Sequence, residues 1–98
     1  MGASVFSQFQ HGASRAKAFK VAVKEATLDY GRAGYTGTLA EKDGFVRCGS
    51  AATLKEAENM VHNMIKDEDD RIDDKWGPAG CIDVDSPKGF LFFGWSPS

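Results

Sequence analysis

The alternation of apolar and polar positions divides the chain into strand-like and helix-like stretches. Residues 4–9 predict a first strand, because apolar and aromatic side chains dominate this short run. A helix is predicted from about Arg15 to Tyr30, since apolar side chains recur every three or four residues on one face: Ala16, Phe19, Val23, Ala26 and Tyr30. Ser14 is a suitable N-cap for that helix, and Gly31 is a suitable C-cap.

The remainder of the chain predicts four strands and a second helix. Residues 35–40 and 45–48 predict two strands joined by a turn. Thr53 and Glu56 have the spacing of a capping box, which opens the second helix. That helix ends near Lys66, and its apolar face comprises Leu54, Ala57, Met60, Val61, Met64 and Ile65. Glycine and proline then interrupt the chain before a final hairpin, formed by residues 81–85 and 90–96.

The resulting order, β-α-β-β-α-β-β, indicates a single α+β domain over residues 1–98. Two helices are expected to cover one face of an antiparallel sheet, as in a ferredoxin-like fold or a related two-layer sandwich. A hydrophobic content of 42% with 27% charged residues is typical of a globular chain that buries its own core. No apolar run approaches the roughly 18 residues of a membrane span, so no membrane contact is expected.

The charged residues and the cysteines limit the functions and the cellular locations that fit this sequence. The net charge of −2 argues against a general nucleic-acid coat. Residues 1–50 carry seven basic and four acidic side chains, whereas residues 51–98 carry five basic and ten acidic ones, which predicts a dipolar molecule. Cys48 and Cys81 are expected to be free thiols in strands, and the N-terminus has no signal-peptide pattern. A cytoplasmic location is therefore predicted.

A glycine-rich turn after the first helix is the first candidate site. Three glycines between residues 31 and 37 would let a ligand approach the backbone, while Arg32, Tyr35 and Thr36 offer a charge, a ring and a hydroxyl. The turn leads from a helix into a strand, which is the reverse of a phosphate-binding loop. The alternative interpretation is an ordinary helix C-cap followed by the entry to a strand.

Carboxylates form the second candidate site. Residues 67–74 contain six of them, and Asp83 and Asp85 point to the same side of a predicted strand. The run lacks the glycine and the closing glutamate of a calcium loop, so neither a metal nor another cofactor is predicted. The run is interpreted as a solvated loop, with contact to a basic partner as an alternative. A metal-dependent enzyme using Asp83 and Asp85 is a third hypothesis.

The last strand supplies the third candidate site. Residues 90–95 are apolar on both sides, although one side of a two-layer domain should face water. One side is therefore expected to need a partner: a second protomer, the acidic loop with Trp76, or another protein. Trp76, Phe93 and Trp95 are the binding residues that this argument selects. Val21 and Leu28 add a smaller apolar patch on the outer side of the first helix.

Two stretches resemble a known group of proteins. These are Gly31-Arg32-Ala33-Gly34-Tyr35-Thr36-Gly37-Thr38-Leu39-Ala40-Glu41-Lys42 and Asp73-Asp74-Lys75-Trp76-Gly77-Pro78-Ala79-Gly80-Cys81-Ile82. They are similar to small, uncharacterised proteins encoded by bacteriophages. The resemblance spans about a quarter of the chain and implies the cytoplasm of a host cell. It also implies an accessory role, such as inhibition of a host or defence protein, and it transfers no catalytic residue.

The leading hypothesis is a non-catalytic binding protein, of which a phage-type inhibitor or modulator of another protein is one form. Its expected partner is a protein, with a homo-oligomer as a further expectation. The second hypothesis is a module that binds a nucleotide or a nucleic acid through the glycine-rich turn and the lysines of the first helix. The metal-dependent enzyme remains the third.

Overall fold

The computed structural model describes residues 2–31 and 36–98, with the side chain of Tyr30 excluded. Its elements are two α-helices, four strands and one short 3₁₀ helix. In chain order they are β1 (Ala3–Gln10), α1 (Arg15–Tyr30), the 3₁₀ helix (Leu39–Glu41), β2 (Phe45–Thr53), α2 (Leu54–Lys66), β3 (Ala79–Ser86) and β4 (Gly89–Pro97). The predicted α+β class is confirmed. Within the described residues, neither α-helix is long and apolar enough to cross a membrane.

Polar caps fix the ends of both α-helices as the sequence predicts. The Ser14 hydroxyl accepts a hydrogen bond from the backbone N–H of Lys17 at the start of α1. The Thr53 hydroxyl accepts one from the N–H of Glu56, whose carboxylate accepts in turn from the N–H of Ala52. Gly31 ends α1 with a φ of 76°. This conformation has a low conformational free energy for glycine, because glycine has no Cβ.

The predicted strand over residues 35–40 is not a strand in its described part. Gly37 has a φ of 69°, which interrupts an extended backbone. The Thr38 hydroxyl then accepts a hydrogen bond from the N–H of Ala40 and caps the 3₁₀ helix. Local side-chain bonds of this kind compete with a strand ladder. Residue 35 lies outside the described residues.

The sheet is mixed, and the expectation of a purely antiparallel sheet is wrong. Its strand order is β1-β4-β3-β2, in which β4 is antiparallel to both neighbours and β2 is parallel to β3. The strands β1, β2 and β3 consequently run in the same direction. The reason is that α2 connects β2 to β3 as a crossover, which returns the chain in the same direction.

The two helices pack on opposite faces of the sheet, whereas one face was expected. Phe90 and Phe92 of β4 lie in a cluster with the α1 residues Ala18, Phe19, Ala22 and Ala26. Leu91 and Phe93 lie in a second cluster with the α2 residues Ala57 and Val61. Successive side chains of a strand point to opposite faces, so the molecule has three layers rather than two.

The direction of the crossovers explains this layering. The connection through α1 crosses from one sheet edge, β1, to the other edge, β2, whereas α2 leads back from β2 to β3. Connections between parallel strands are right-handed almost without exception. Two such connections that run in opposite directions across a sheet place their helices on opposite faces. The apolar character of both sides of β4 therefore needs no external partner.

Candidate functional site

The residues predicted from the glycine-rich turn are only partly described. Arg32 and Tyr35 lie outside the described residues. Thr36 is described, and its hydroxyl donates a 2.7 Å hydrogen bond to the Glu41 carboxylate and lies 2.9 Å from the Thr38 hydroxyl. The Thr36 side chain is thus bonded to the 3₁₀ helix and its cap.

The three predicted aromatic residues lie in different environments. Phe93 is fully buried under α2, which leaves its ring no access to a partner. Trp95 is half-buried, and its indole N–H is buried without a hydrogen-bond partner among the described residues. Trp76 is 63% exposed, and the Lys75 ammonium group lies 5.6 Å from its ring centre. The three side chains therefore do not form one exposed binding surface.

Lys42 connects the segment after the 3₁₀ helix to the loop before β3. Its side chain is 2% exposed, and its ammonium group donates 2.9 Å hydrogen bonds to the carbonyl oxygens of Lys75 and Gly77. Burial lowers the pKa of Lys42, while Asp74 acts in the opposite direction. Since its donors are directed at backbone oxygens, Lys42 joins the 3₁₀ region to the loop before β3.

A polar groove lies at the carboxyl ends of β1 and β3, where α1 begins. It has a volume of about 470 Å³ and includes Arg15, Asp83, Asp85 and Lys88. Arg15 donates two hydrogen bonds of 2.8 and 2.7 Å to Asp83, and Arg47 donates a third of 3.0 Å. The bond from Arg15 lowers the pKa of Asp83, and Arg47 acts in the same direction against partial burial.

The guanidinium groups occupy both Asp83 oxygens, which would otherwise be the ligands in the metal-dependent hypothesis. Asp85, the other candidate ligand, is exposed. Within residues 2–31 and 36–98, no group of three His, Cys, Asp or Glu side chains is arranged to hold a metal ion. Cys48 and Cys81 are free and lie in β2 and β3. Burial raises the pKa of the Cys81 thiol to about 12, so this sulfur is protonated at neutral pH.

The outer edge of β1 is the feature that the sequence analysis missed. Gly2 and Ser98 exchange two backbone hydrogen bonds, of 3.1 and 3.2 Å, at the start of the β1–β4 ladder. Hydrogen-bonded and non-hydrogen-bonded pairs alternate in an antiparallel ladder. The residues of β1 whose N–H and C=O groups point away from β4 are therefore Ala3, Val5, Ser7 and Phe9. Because β1 is an edge strand, these groups can receive another strand.

Two grooves flank this edge, one on each face of the sheet, and Ser7 lines both. The groove on the α1 side measures about 350 Å³ and is lined by Phe6, Ser7, Gln8, Glu25, Asp29, Thr38 and Leu39. The groove on the α2 side measures about 420 Å³ and is lined by Val5, Ser7, Glu58, Val61, His62 and Ile65. An added strand would lie between them, with its side chains directed alternately into each.

The composition of β1 distinguishes it from the opposite edge. No residue of β1 is charged, and its pairing with β4 shows no shift of register. The other edge, β2, contains Arg47 and an irregularity between Arg47 and Gly49. Charges and bulges are two features by which natural edge strands resist pairing, and β2 has both whereas β1 has neither.

Three exposed apolar side chains lie on β1 and α1. Val5 on β1 is 46% exposed, and Val21 and Leu28 on α1 are 44% and 76% exposed. Val21 and Leu28 precede and follow Glu25 by four and three residues, which places them beside Glu25 on α1. The apolar patch expected from the sequence on α1 is thus exposed, and neither Val21 nor Leu28 lines the groove beside β1.

A scan against protein-family models and searches among curated proteins and solved structures each found no match.

Proposed function

We propose that this protein is a non-catalytic binding domain that takes up an extended segment of a partner protein along β1. The observation that carries the proposal is the uncharged, regular edge formed by Ala3–Gln10. Addition of a strand to such an edge is a recurring mode of peptide recognition. Backbone hydrogen bonds supply affinity in this mode, and the pockets for alternate side chains supply specificity.

The size of the edge is sufficient for specific binding. Four outward-facing residues can exchange up to eight backbone hydrogen bonds with a partner, and each contributes about 1 kcal/mol net. Burial of Val5 would add about 25 cal/mol for each Å² of apolar surface removed from water. The two terms together support binding without catalytic residues.

The resemblance to bacteriophage proteins gives this binding a biological setting. In the proposal, the domain acts in the cytoplasm of a host cell and inhibits or modulates a host or defence protein. A protein that occupies one strand of its target could block the surface that the target uses with its own partners. The buried aromatic residues of β4 play no part in this contact.

Site-specific photo-crosslinking tests the proposal in cells. A photoreactive amino acid at Ser7 should form adducts with a partner protein, because Ser7 lines both grooves. The matched control is Ser50, an exposed serine on the opposite edge strand. Adducts at Ser7 but not at Ser50 support the proposal. Equal labelling at both positions, or none at Ser7, contradicts it.

A nucleotide- or nucleic-acid-binding module remains the second candidate. The observation that favours it is a groove of about 290 Å³ on α1, whose lining includes Phe19, Lys20, Lys24 and Lys42. Lys20 and Lys24 are exposed, whereas the Lys42 ammonium group is already engaged. Salt-sensitive nucleotide binding that is lost in Lys20→Glu/Lys24→Glu would favour this candidate.

A further inference from the structure

We propose that the segment bound by β1 alternates basic and apolar side chains. This inference rests on the proposed function and specifies the chemistry of the partner. Its basis is the difference between the two grooves that flank the strand. One groove carries carboxylates over a polar floor, and the other is largely apolar.

The groove on the α1 side selects basic side chains. Glu25 and Asp29, one turn apart on α1, both line it and are both exposed. Gln8 on its floor is fixed, because its side-chain amide donates a 2.9 Å hydrogen bond to the Ala22 carbonyl oxygen. A lysine or arginine that entered from an added strand would meet two carboxylates. Electrostatic complementarity of this kind favours one partner and disfavours acidic ones.

The groove on the α2 side selects apolar side chains. Val5, Val61 and Ile65 form its apolar lining. Val5 is 46% exposed, and Ile65 is partly exposed, so both can lose water-accessible surface when a side chain enters. Glu58 and His62 are exposed and add polar contacts. A branched aliphatic side chain suits such a lining.

Strand geometry combines the two preferences into one pattern. Successive residues of the added strand point to opposite faces of the sheet, so alternate positions enter the acidic and the apolar groove. The preferred sequence therefore has a period of two. A second copy of β1 fits this pattern poorly, because Ala3–Gln10 contains no basic residue to meet Glu25 and Asp29.

Synthetic peptides provide the test. One peptide alternates lysine and valine, a second has the same composition in two blocks, and a third alternates glutamate and valine. Affinity is measured by fluorescence anisotropy, and backbone amide exchange is followed by NMR. The alternating lysine peptide should bind at least about tenfold more tightly than either control, and added salt should weaken it. It should also slow amide exchange at Val5 and Ser7.

Charge-reversed variants separate specific recognition from general attraction. Glu25→Lys/Asp29→Lys should bind the lysine peptide about tenfold more weakly and the glutamate peptide more tightly. The matched control, Asp70→Lys/Asp73→Lys, changes the net charge equally at exposed positions outside both grooves, and should keep the original preference. Equal weakening in both double variants overturns the inference.

The outcomes also distinguish this inference from the proposed function. If all three peptides protect the amides of β1 equally, or if the partner crosslinked at Ser7 contributes an acidic segment, the alternating pattern is wrong and strand addition stands. If sedimentation shows that β1 pairs with a second copy, the basic partner is wrong. If no peptide protects these amides and Ser7 forms no adduct, both proposals fail.

Discussion

The ammonium group of Lys42 donates a 2.9 Å hydrogen bond to the carbonyl oxygen of Gly77. The same group bonds the Lys75 carbonyl oxygen, so one side chain satisfies two backbone acceptors in the loop that precedes β3. The contact lies close to β1, because the Lys42 ammonium group is 6.0 Å from the centre of the Phe6 ring and the Lys75 ammonium group donates a 3.2 Å hydrogen bond to the Gly2 carbonyl oxygen.

Loss of this contact should destabilise the fold. Lys42→Met keeps most of the buried stem but leaves two carbonyl oxygens without their donor, which should cost about 2 kcal/mol of the free energy of unfolding. The control Lys24→Met changes an exposed lysine and should stay within about 0.5 kcal/mol of the parent protein. Urea denaturation measures both values. Equal stability of the two variants would show that the contact contributes nothing.

Close packing at Gly80 gives a second prediction. A Cβ at this position would overlap the Phe93 ring and lie 2.9 Å from Ile72 Cγ2. Gly80→Ala should therefore cost about 2–3 kcal/mol, whereas Gly44→Ala, where a Cβ meets nothing within 4 Å, should be tolerated.

A smaller side chain opposite Gly80 should relieve this overlap. Gly80→Ala/Phe93→Leu should be more stable than the sum of the two single changes by about 1 kcal/mol. Thermal unfolding of all four proteins completes the cycle. Strict additivity would mean that the Phe93 ring does not obstruct a methyl group at Gly80.

The local elements could be predicted from the sequence because their signals are local. Ser14, Gly31 and Thr53 act as helix caps at the positions that their side chains or backbone freedom indicate. The apolar face of α2 was also recognisable, and Ala57 and Val61 are its buried centre. Each of these features depends on residues within a turn or two of one another.

The α1 face shows where helix periodicity misleads. The predicted face included Ala16, which is exposed, and omitted Ala18 and Ala22, which are almost fully buried. Alanine contributes little to a hydrophobic pattern, yet its small size lets a helix lie close to the sheet. Ala18 and Ala22 pack in the same cluster as Phe92. The periodicity therefore predicted the helix correctly but assigned the wrong residues to its buried face.

Sheet direction and layering could not be predicted from local patterns. Apolar and polar side chains alternate in the same way in parallel and antiparallel strands. The sequences of β2 and β3 therefore did not indicate their relative direction. The apolar residues on both sides of β4 were the useful signal, since a strand covered on both faces implies a third layer. The open edge of β1 follows from strand order, which depends on contacts between distant residues.

The ion pair between Arg15 and Asp83 predicts a pH dependence. The pKa of Asp83 should lie below 3.8 in the folded protein, because the guanidinium group stabilises the carboxylate. The contribution of this ion pair to the free energy of unfolding is then complete above the ordinary pKa of an aspartate. It is lost as the pH falls through the lowered pKa of Asp83. Arg15→Ala should raise the measured pKa of Asp83 towards 3.8.

Carboxyl titration by NMR measures this shift directly. Asp83→Asn should lose part of the difference in stability between neutral and strongly acidic pH, whereas Asp85→Asn, on the same strand, should retain it. An Asp83 pKa that is the same with and without Arg15 would contradict the assignment of the guanidinium group as the main cause.

Adjacent proline substitutions in β1 test which backbone groups face outward. Ser7 belongs to a non-hydrogen-bonded pair with Phe93, so its N–H points away from β4, whereas Gln8 forms a hydrogen-bonded pair with Phe92. Proline has no N–H and is tolerated in sheets where that group would face solvent. Ser7→Pro should therefore stay within about 1 kcal/mol of the parent stability, and Gln8→Pro should lose about 3 kcal/mol or more.

The two proline variants also distinguish an effect on peptide binding from an effect on folding. Ser7→Pro removes one outward donor and places a ring where an added strand would lie, so it should abolish protection of β1 amides by the alternating lysine peptide. Denaturant titration supplies the stability, and amide exchange supplies the binding. Loss of binding in a stable Ser7→Pro protein would identify the edge itself as the recognition element, because the helices, the charges and the other residues that line the grooves are all unchanged. Unfolding of both variants would show that the Ser7 N–H does not point away from β4, and unchanged peptide binding by Ser7→Pro would remove strand addition as the mode of recognition.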